Sequence, residues 1–242
     1  MSYELIYKQY SERTILIEWP PEISENILED ILLLKKILLQ KLDKVIVQIN
    51  STYNSILIFY ASTIKDFYSE ILSLKSIYRE QNKADGIKKR VWEIPVCYDT
   101  VLAPDLMDFA HQKNLSIEEI IALHTAPLYR IFFIGFLPGF MYLGGLDKRL
   151  HFPRKATPSL DVKKGAVAIG GEQTGIYPMD SPGGWHVIGY SPLNFFNINE
   201  HHPCHFNSGD YVKFVDISIT SCNDISFKVL HGNYNYKSYF TE

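Results

Sequence analysis

The chain has 242 residues, of which 46% are hydrophobic and 21% charged, and its formal net charge is −3. These proportions are typical of a globular protein with one large or two small domains, and they exclude a largely disordered chain. The negative charge argues against a nucleic-acid-binding protein, because such a protein needs a basic surface to neutralise phosphates.

The start of the chain and the cysteines predict a cytoplasmic protein that does not enter a membrane. The first residues lack the basic segment and apolar run of a signal peptide. No apolar run reaches the roughly 20 residues that a membrane-spanning helix requires. The three cysteines, at positions 97, 204 and 222, are an odd number without close spacing. They suit a reducing compartment better than a disulfide framework.

Glycine usage divides the chain into two parts. The first 85 residues contain no glycine, whereas 11 of the 14 glycines lie between Gly135 and Gly189. We therefore predict the α+β fold class, with a small N-terminal α+β domain over residues 1–85 and a β-rich domain over residues 90–242. The segment Lys83–Lys89 is the predicted linker.

The first domain is predicted to pack two helices on one face of a small antiparallel sheet. Apolar residues that recur every three or four positions indicate the two amphipathic helices. In the strand predicted at Lys44–Asn50, alternation places Val45, Val47 and Ile49 on one face. The helices are predicted over Ile23–Leu42 and Phe67–Tyr78, and the other strands over Tyr3–Tyr10, Thr14–Trp19 and Ser55–Tyr60.

The second domain is predicted to begin with the strand Val91–Cys97 and two short helices. Pro104 suits the first turn of a helix that continues through His111, and Ser116 and Glu119 have the spacing of a capping box. Short β-like runs then alternate with glycine and proline turns, which is typical of a barrel or sandwich. These runs are Tyr129–Phe136, Ala166–Ile169, Trp185–Tyr190, Leu193–Ile198, Tyr211–Ile217 and Ile225–Leu230.

The stretch GGEQTGIYPMDSPGGWHVIGYSP, which runs from Gly170 to Pro192, is the strongest candidate for a functional site. A set of tight turns would explain its glycines and prolines. Turns alone do not explain the polar side chains and the tryptophan among them, because a pocket for a small polar ligand needs such groups beside flexible backbone. These side chains are Gln173, Thr174, Tyr177, Ser181 and Trp185.

Two other segments could complete the site. The run IFFIGFLPGFMYLGGL carries Phe136, Phe140 and Tyr142 between turn residues, and it either belongs to the core or lines a pocket. The basic run LHFPRKATPSLDVKKG is either a solvated loop or an anion site. In the second interpretation Arg154 holds a carboxylate or phosphate, and the backbone N–H groups of Gly170–Gly171 add to it.

Histidines and cysteines give weaker signals. His124 and His186 are the histidines best placed for acid–base chemistry, and a structural role is the alternative for each. The run HHPCH, residues 201–205, has metal-binding residue types, but four ligands within five residues cannot easily surround a tetrahedral ion. We predict a polar loop there and no metal site. The chain also has no Walker A, G-x-G-x-x-G or G-x-S-x-G motif.

Three ordered motifs resemble the KipI/PxpB family, also called the allophanate hydrolase subunit 1 family. They are H-x-x-A-P-x-Y-R, GFLPGFMYLGGLDKRLHFPRKATPS and GAVAIGGEQTGIYPMDSPGGWHVIGYSP, and the resemblance covers about residues 91–215. The family motif maps onto Gly135, Phe136, Pro138, Gly139, Tyr142, Gly144, Gly145, Arg154, Pro158, Gly170, Gly171, Gln173, Thr174, Gly175, Tyr177, Pro178, Ser181, Pro182, Gly183, Gly184 and Trp185.

The resemblance implies a cyclophilin-like β-barrel for the second domain, and for the chain the role of the B subunit in an ATP-dependent 5-oxoprolinase. Such an enzyme opens the lactam of 5-oxo-L-proline to L-glutamate as a hetero-oligomer with a C subunit, together with a separate A subunit. The chain alone would therefore be inactive. ATP with Mg would bind at the level of the complex. Two alternatives stay open: a KipI-like inhibitor of histidine kinase autophosphorylation, and half of a biotin-dependent carboxyltransferase of the urea carboxylase kind.

With this resemblance, we predict that Arg154, Gln173, Tyr177 and His124 are catalytic. Arg154 and backbone N–H groups would stabilise the negative charge that develops as the lactam reacts. The residues predicted to bind substrate or a partner protein are Gly135, Phe136, Pro138, Gly139, Phe140, Tyr142, Gly170, Gly171, Thr174, Gly175, Ser181, Gly183, Gly184 and Trp185.

Overall fold

The computed structural model describes residues 3–80 and 89–241, and the fold is mixed α/β with open β-sheets. The chain divides into two compact units, residues 1–87 and 88–242. The predicted linker Lys83–Lys89 lies outside the described residues, except for Lys89. Among the helices of the described ranges, none is long and apolar enough to cross a membrane.

The first unit is a four-stranded antiparallel sheet with two helices. Its elements are β1 (Ile6–Ser11), β2 (Thr14–Glu18), α1 (Glu25–Lys41), β3 (Ile46–Ser51), β4 (Ser55–Tyr60) and α2 (Phe67–Arg79). The strand order is β1-β2-β4-β3. The predicted helices form because their apolar residues share one face: α1 buries Ile27, Ile31, Leu34 and Leu38 at spacings of three and four. Asp66 begins α2 by accepting a hydrogen bond from the Ser69 N–H.

The prediction that Val45, Val47 and Ile49 share one face of β3 is wrong. Val47 is 69% exposed, whereas Ile46 and Ile49 are buried. The register of β3 against β4 shifts between Ile46 and Gln48. An extra residue in one strand moves the alternation by one position, so side chains before and after it exchange faces. The alternation of Val45, Val47 and Ile49 in the sequence therefore does not correspond to one face of the sheet.

The second unit combines an eight-stranded sheet with a separate two-stranded ribbon. Its elements are β5 (Arg90–Val96), α3 (Leu106–Lys113), α4 (Ile117–Thr125), β6 (Tyr129–Ile134), β7 (Met141–Gly144), a 3-10 turn (Lys148–Leu150), β8 (Ser159–Val162), β9 (Ala166–Gly170), β10 (Gln173–Ile176), β11 (Ser181–Gly183), β12 (His186–Tyr190), β13 (Tyr211–Asp216), α5 (Ile219–Leu230) and β14 (Lys237–Phe240). The strand order in the large sheet is β12-β9-β10-β7-β6-β13-β5-β14, and the ribbon pairs β8 with β11.

The large sheet curves back on itself, and its edge strand β12 contacts the end of β5 at one point. Cys97, just beyond β5, forms an isolated antiparallel bridge with Tyr190 at the end of β12. Each backbone N–H of this pair donates to the other residue's carbonyl at 2.8 Å. The sheet therefore curves until its first strand reaches the end of its seventh, and the main core lies on the inner face.

The helices of the second unit begin at clear signals. Ser116 and Glu119 form the predicted capping box at the start of α4. Asp105 is the N-cap residue of α3, so Pro104 precedes that helix instead of lying in its first turn.

Two of the strands predicted for this unit are wrong. Ile225–Leu230 belongs to α5, which begins where Ser218 caps the Ser221 N–H. Cys222, Ile225 and Val229 recur at helical spacing, and Ile225 and Val229 pack against the main core. Residues 193–198 form no strand in the described part of the chain, although Leu193 and Phe195 are buried. Their burial satisfies the apolar pattern without a β-ladder.

Candidate functional site

The outer face of the large sheet brings most of the predicted site residues together. In β10, Thr174 and Ile176 face inward, and both are fully buried. Because side chains alternate along a strand, Gln173 and Gly175 face outward, and Tyr177 continues this face beyond the strand. Tyr177 belongs to a second, smaller apolar cluster that is separate from the main core.

Five aromatic side chains line this outer face, and we call them the aromatic wall: Phe136, Phe140, Tyr142, Tyr177 and Trp185. The ring of Phe140 is central, with its centroid 5.3 Å from that of Tyr177 and 5.5 Å from that of Trp185. Tyr142 lies 5.0 Å from Phe140, and Phe136 lies 5.5 Å from it on the exposed edge. Most of these contacts are edge-to-face, which is the arrangement that aromatic pairs favour.

Glycines make room for the aromatic wall. A Cβ added at Gly170 would lie 2.5 Å from the Trp185 ring, and one at Gly175 would lie 3.0 Å from the same ring. A Cβ at Gly183 would lie 2.2 Å from the Tyr177 hydroxyl. A larger residue at these positions would have to displace an aromatic ring. These three glycines therefore provide the space that the rings of the wall occupy, and they are not free to approach a ligand.

Arg154 supplies the positive charge of the site. Its guanidinium carbon lies 5.7 Å from the centroid of the Trp185 ring, within cation–π distance, and the side chain is exposed. Burial raises the pKa of both Tyr142 and Tyr177 above the ordinary value, and the charge of Arg154 partly offsets this effect at each. A guanidinium held over an indole and close to two phenols can bind a carboxylate or a phosphate.

Phe136 projects from a strained turn that the sequence did not reveal. Its φ is 65°, in the left-handed region that residues with a side chain rarely adopt. The Leu137 N–H donates to the Gly135 carbonyl at 2.8 Å and closes a γ-turn around Phe136. The side chain is 61% exposed. Strain of about 1–3 kcal/mol at an exposed aromatic residue is typical of a functional position.

The loop of Phe136 also depends on Gly139 and Pro138. Gly139 has a φ of 85°, and a Cβ there would lie 2.8 Å from the Phe195 carbonyl oxygen. Glycine is therefore required at this position for two reasons, its backbone conformation and the close approach of another segment of the chain. Pro138 is exposed beside it, because the loop runs over the surface. Both residues shape the loop.

The structure does not support an anion site at the backbone of Gly171. The Gly171 N–H donates to the Phe152 carbonyl at 2.6 Å, and its own carbonyl accepts from the Phe152 N–H at 2.9 Å. Gly170 lies beneath Trp185. Gly171 therefore attaches the segment before Arg154 to the turn between β9 and β10.

His124 lies on the opposite face from the aromatic wall. It is fully buried, and its Nδ1 and Nε2 lie 2.7 Å from the Tyr98 hydroxyl and 2.9 Å from Thr174 Oγ1. Since the Thr174 hydroxyl donates to the Ala168 carbonyl, Nε2–H donates to Thr174 and Nδ1 accepts from Tyr98. Burial lowers the pKa of His124 to about 3. The neutral, fully bonded ring favours a structural role over the predicted catalytic one, and Thr174 shares that role.

Ser181 stands out among the remaining predicted residues. Its Oγ is buried without a hydrogen-bond partner among the described residues. A buried hydroxyl without a partner costs about 1–3 kcal/mol, so such groups need an explanation. Ser181 begins β11, whose ribbon partner β8 supplies Val162 to the apolar cluster beneath the wall.

The comparisons with known proteins agree with this architecture. The family model for the carboxyltransferase domain, subdomain C and D, matches residues 5–206. The chain belongs to this family. The matched range extends over both compact units and includes every residue of the aromatic wall.

Within this family, the chain is similar to proteins named as the B subunit of 5-oxoprolinase. It is 46% identical to that of Bacillus subtilis over 132 residues, 43% identical to that of Haemophilus influenzae over 150 residues, and 42% identical to that of Escherichia coli O157:H7 over 151 residues. The alignments cover 54%, 62% and 60% of this chain, and 55%, 70% and 69% of the relatives. The chain thus spans about half the length of the Bacillus relative. These matches confirm the resemblance to the KipI/PxpB family.

More distant relatives share the fold. A urea amidolyase of Lachancea kluyveri is 25% identical over 253 residues, which cover 90% of this chain and 14% of that protein. A conserved uncharacterized protein from Pyrococcus horikoshii has 39% identity and a TM-score of 0.52, covering 89% of this chain and 99% of its own. The Kluyveromyces lactis urea amidolyase structure has a TM-score of 0.81 over 99% of this chain and 16% of its own, at 18% identity. This last likeness concerns the fold alone.

Proposed function

We propose that the chain is the B subunit of a cytoplasmic 5-oxoprolinase, which opens 5-oxo-L-proline to L-glutamate together with partner proteins. The observation that carries the proposal is the placement of Arg154 over Trp185 on the aromatic wall, in a chain whose relatives bear that name. A lactam with a carboxylate needs both an anion-binding group and surfaces for a small ring. Arg154 and the wall provide these.

The aromatic wall would form one side of a shared site. Phe136 and Arg154 are exposed, so the wall is open at this edge, and a partner protein would cover the edge and supply the other side of the site. The rings of Phe140, Tyr177 and Trp185 are buried behind it. Arg154 would hold the substrate carboxylate or the oxyanion that forms when the lactam carbonyl is attacked. Gln173, on the same face, would exchange hydrogen bonds with the lactam amide. Tyr177 would contribute its phenol beside the guanidinium.

The glycines of the candidate site do not offer free backbone N–H groups or open space to a phosphate of ATP. Gly170, Gly175 and Gly183 are occupied by contacts with the aromatic rings, and the Gly171 N–H is bonded to Phe152. In residues 3–80 and 89–241, no three His, Cys, Asp or Glu side chains converge to hold a metal ion. ATP with Mg would therefore bind at the level of the complex.

We further propose that the second unit is a cyclophilin-like barrel. The bridge between Cys97 and Tyr190 supports this, because it joins β12 to the end of β5 across the open side of the sheet. The glycines beneath the wall would then lie on the outside of the barrel, where the small β8–β11 ribbon covers part of them.

A second candidate function is half of a biotin-dependent carboxyltransferase. The family model and the urea amidolyase match favour it, since both extend over the first unit as well as the second. This function requires a partner protein that carries biotin, whereas 5-oxoprolinase does not. The third possibility, inhibition of a histidine kinase, would use the same exposed Phe136 edge as a protein-binding surface.

Genetic complementation separates these functions. A bacterial strain that lacks its own B subunit of 5-oxoprolinase but retains the other components should regain growth on 5-oxoproline when given this chain. The variant Arg154→Ala with Gln173→Ala should not restore growth, whereas Arg149→Ala, an exposed arginine paired with Asp147, should. Failure of the wild-type chain, despite confirmed expression and binding to the partner proteins, would reject the enzyme assignment.

A further inference from the structure

The segment that carries Arg154 is bonded on both sides to the segment that carries Trp185. The Lys155 N–H donates to the Gly184 carbonyl at 2.7 Å. His186 Nε2 donates to the Pro153 carbonyl at 3.0 Å. The residues on either side of Arg154 are thus hydrogen-bonded to the residues on either side of Trp185. These two bonds place the guanidinium over the indole ring.

Asp105 connects this pair of segments to α3. Its Oδ1 accepts a hydrogen bond from Lys155 Nζ at 2.8 Å, and its Oδ2 accepts one from the Val187 N–H at 2.7 Å. The Asp105 N–H in turn donates to the Val187 carbonyl at 3.1 Å. The ion pair is mostly shielded from water, since the Lys155 and Asp105 side chains are 19% and 21% exposed. Lys155 Nζ also contacts Ser159 Oγ at 3.0 Å.

The carboxylate of Asp105 is used in an unusual way. Asp105 is the N-cap residue of α3, a position where aspartate normally accepts a hydrogen bond from the first turn of its own helix. Here the side chain makes no such bond. The carboxylate therefore does not cap its own helix. It bonds instead to the two segments that hold Arg154 and Trp185.

We propose that Asp105 is a positioning residue for Arg154, acting through Lys155 and the backbone of β12. A flexible arginine gains catalytic value when its charge is already in place before the reaction, because no reorganisation is then needed. The inference rests on the proposed function for its kinetic consequence, but the placement of Arg154 can be measured without it.

The kinetic test uses the reconstituted complex. Asp105→Asn keeps an acceptor for the Val187 N–H and removes the charge that faces Lys155. Its kcat/KM should fall about tenfold or more, within the range that a misplacement of roughly 1 Å produces. The double variant with Arg154→Ala should be no slower than Arg154→Ala alone, since two residues that act as a unit are not additive. Asp161→Asn, which removes an exposed partner of Lys163, should retain wild-type activity.

The structural test uses NMR of the full chain and needs no activity. The Arg154 Nε–H resonance, identified by its loss in Arg154→Lys, should shift on Trp185→Leu because the indole ring current is removed. Asp105→Asn should cause a shift in the same direction, and Asp161→Asn should not. Lys155→Met, which retains the aliphatic stem, gives a second variant if Asp105→Asn fails to fold.

The two tests separate the positioning role from the proposed function. A shifted resonance in the Asp105→Asn chain, together with a wild-type complex that does not hydrolyse 5-oxoproline, would support the positioning role and reject the function. Wild-type kcat/KM and an unmoved resonance in both Asp105→Asn and Lys155→Met would overturn the positioning role. Additive losses in the Asp105→Asn, Arg154→Ala double variant would overturn it as well.

Discussion

The guanidinium of Arg154 lies 5.7 Å from the centroid of the Trp185 ring, and the ring in turn lies over Gly170 and Gly175. One charged group, one aromatic surface and two residues without side chains therefore form successive layers on the outer face of the sheet. Each layer depends on the one below it, so the position of the charge can be changed from several places in the sequence.

Gly170→Ala should destabilise the protein by about 1–3 kcal/mol, because its Cβ would lie 2.5 Å from the Trp185 ring and the ring would have to move. Gly184→Ala is the matched control. A Cβ at Gly184 has its nearest neighbour at 3.9 Å, so this variant should change stability by less than about 0.5 kcal/mol. Urea unfolding of the two proteins measures the difference. Equal stability of both variants would contradict the packing role of Gly170.

Phe136→Gly should be more stable than Phe136→Ala by about 1 kcal/mol. Both variants lose the aromatic ring, but glycine accepts the φ of 65° without strain, whereas alanine does not. This order reverses the one expected in helices and strands, where alanine is the more stable residue. Thermal unfolding gives the comparison. If Phe136→Ala is equally or more stable, the turn around Phe136 is not strained.

The same two variants should both lose activity in the reconstituted complex, because the exposed ring of Phe136 belongs to the open edge of the wall. The predicted loss is about tenfold or more in kcat/KM, the scale of a misplaced or missing contact. Equal losses of activity in the two variants, despite their different stabilities, would show that the activity depends on the aromatic ring. Wild-type kcat/KM in either variant would remove Phe136 from the site.

His124→Gln should change how stability depends on pH. Burial lowers the pKa of His124 to about 3 in the folded protein, whereas an unfolded histidine has a pKa of about 6.5. Above this unfolded value the neutral ring incurs no protonation penalty. As the pH falls from 6.5 towards 3, the unfolded chain takes up one proton that the folded protein excludes. The free energy of unfolding should therefore fall by about 1.4 kcal/mol per pH unit from this group.

Urea titrations at several pH values between 4 and 6 test this expectation. Carboxylates with lowered pKa values, such as Asp147, contribute equally to both proteins, so the difference in slope reports His124 alone. The slope for His124→Gln should be smaller by about one proton. Identical slopes would show that His124 takes up a proton in the folded protein over this pH range. That result would favour the predicted catalytic role over the structural one.

Regular apolar spacing made much of the fold predictable. The strand Ser55–Tyr60 and the capping box at Ser116 and Glu119 are both confirmed, because each follows from residues close together in sequence. Residues 225–230 look like a strand when taken alone. Their helical spacing becomes visible only when Cys222 is included, and the cap at Ser218 begins the helix. The strand β10 was not predicted because it contains Gly175. Glycine has a low strand propensity, but here it makes space for Trp185.

The sequence predicted which residues form the candidate site, but not the contacts that hold them in place. The motifs identified Arg154, Gln173, Tyr177 and Trp185 as a group, and their roles stay predictions. Asp105 gave no local signal, since its partner Val187 lies 82 positions away. The glycines and the strain at Phe136 likewise depend on contacts that only the folded chain brings together.

The most direct test of the proposed function and its site measures ATP-dependent hydrolysis of 5-oxo-L-proline by this chain reconstituted with its partner proteins. The complex with the wild-type chain should form L-glutamate, Arg154→Ala should reduce kcat/KM by about a hundredfold or more, and Arg149→Ala should match the wild type. Full activity of the Arg154→Ala complex would contradict the proposed site. No glutamate from a correctly assembled wild-type complex would contradict the proposed function itself.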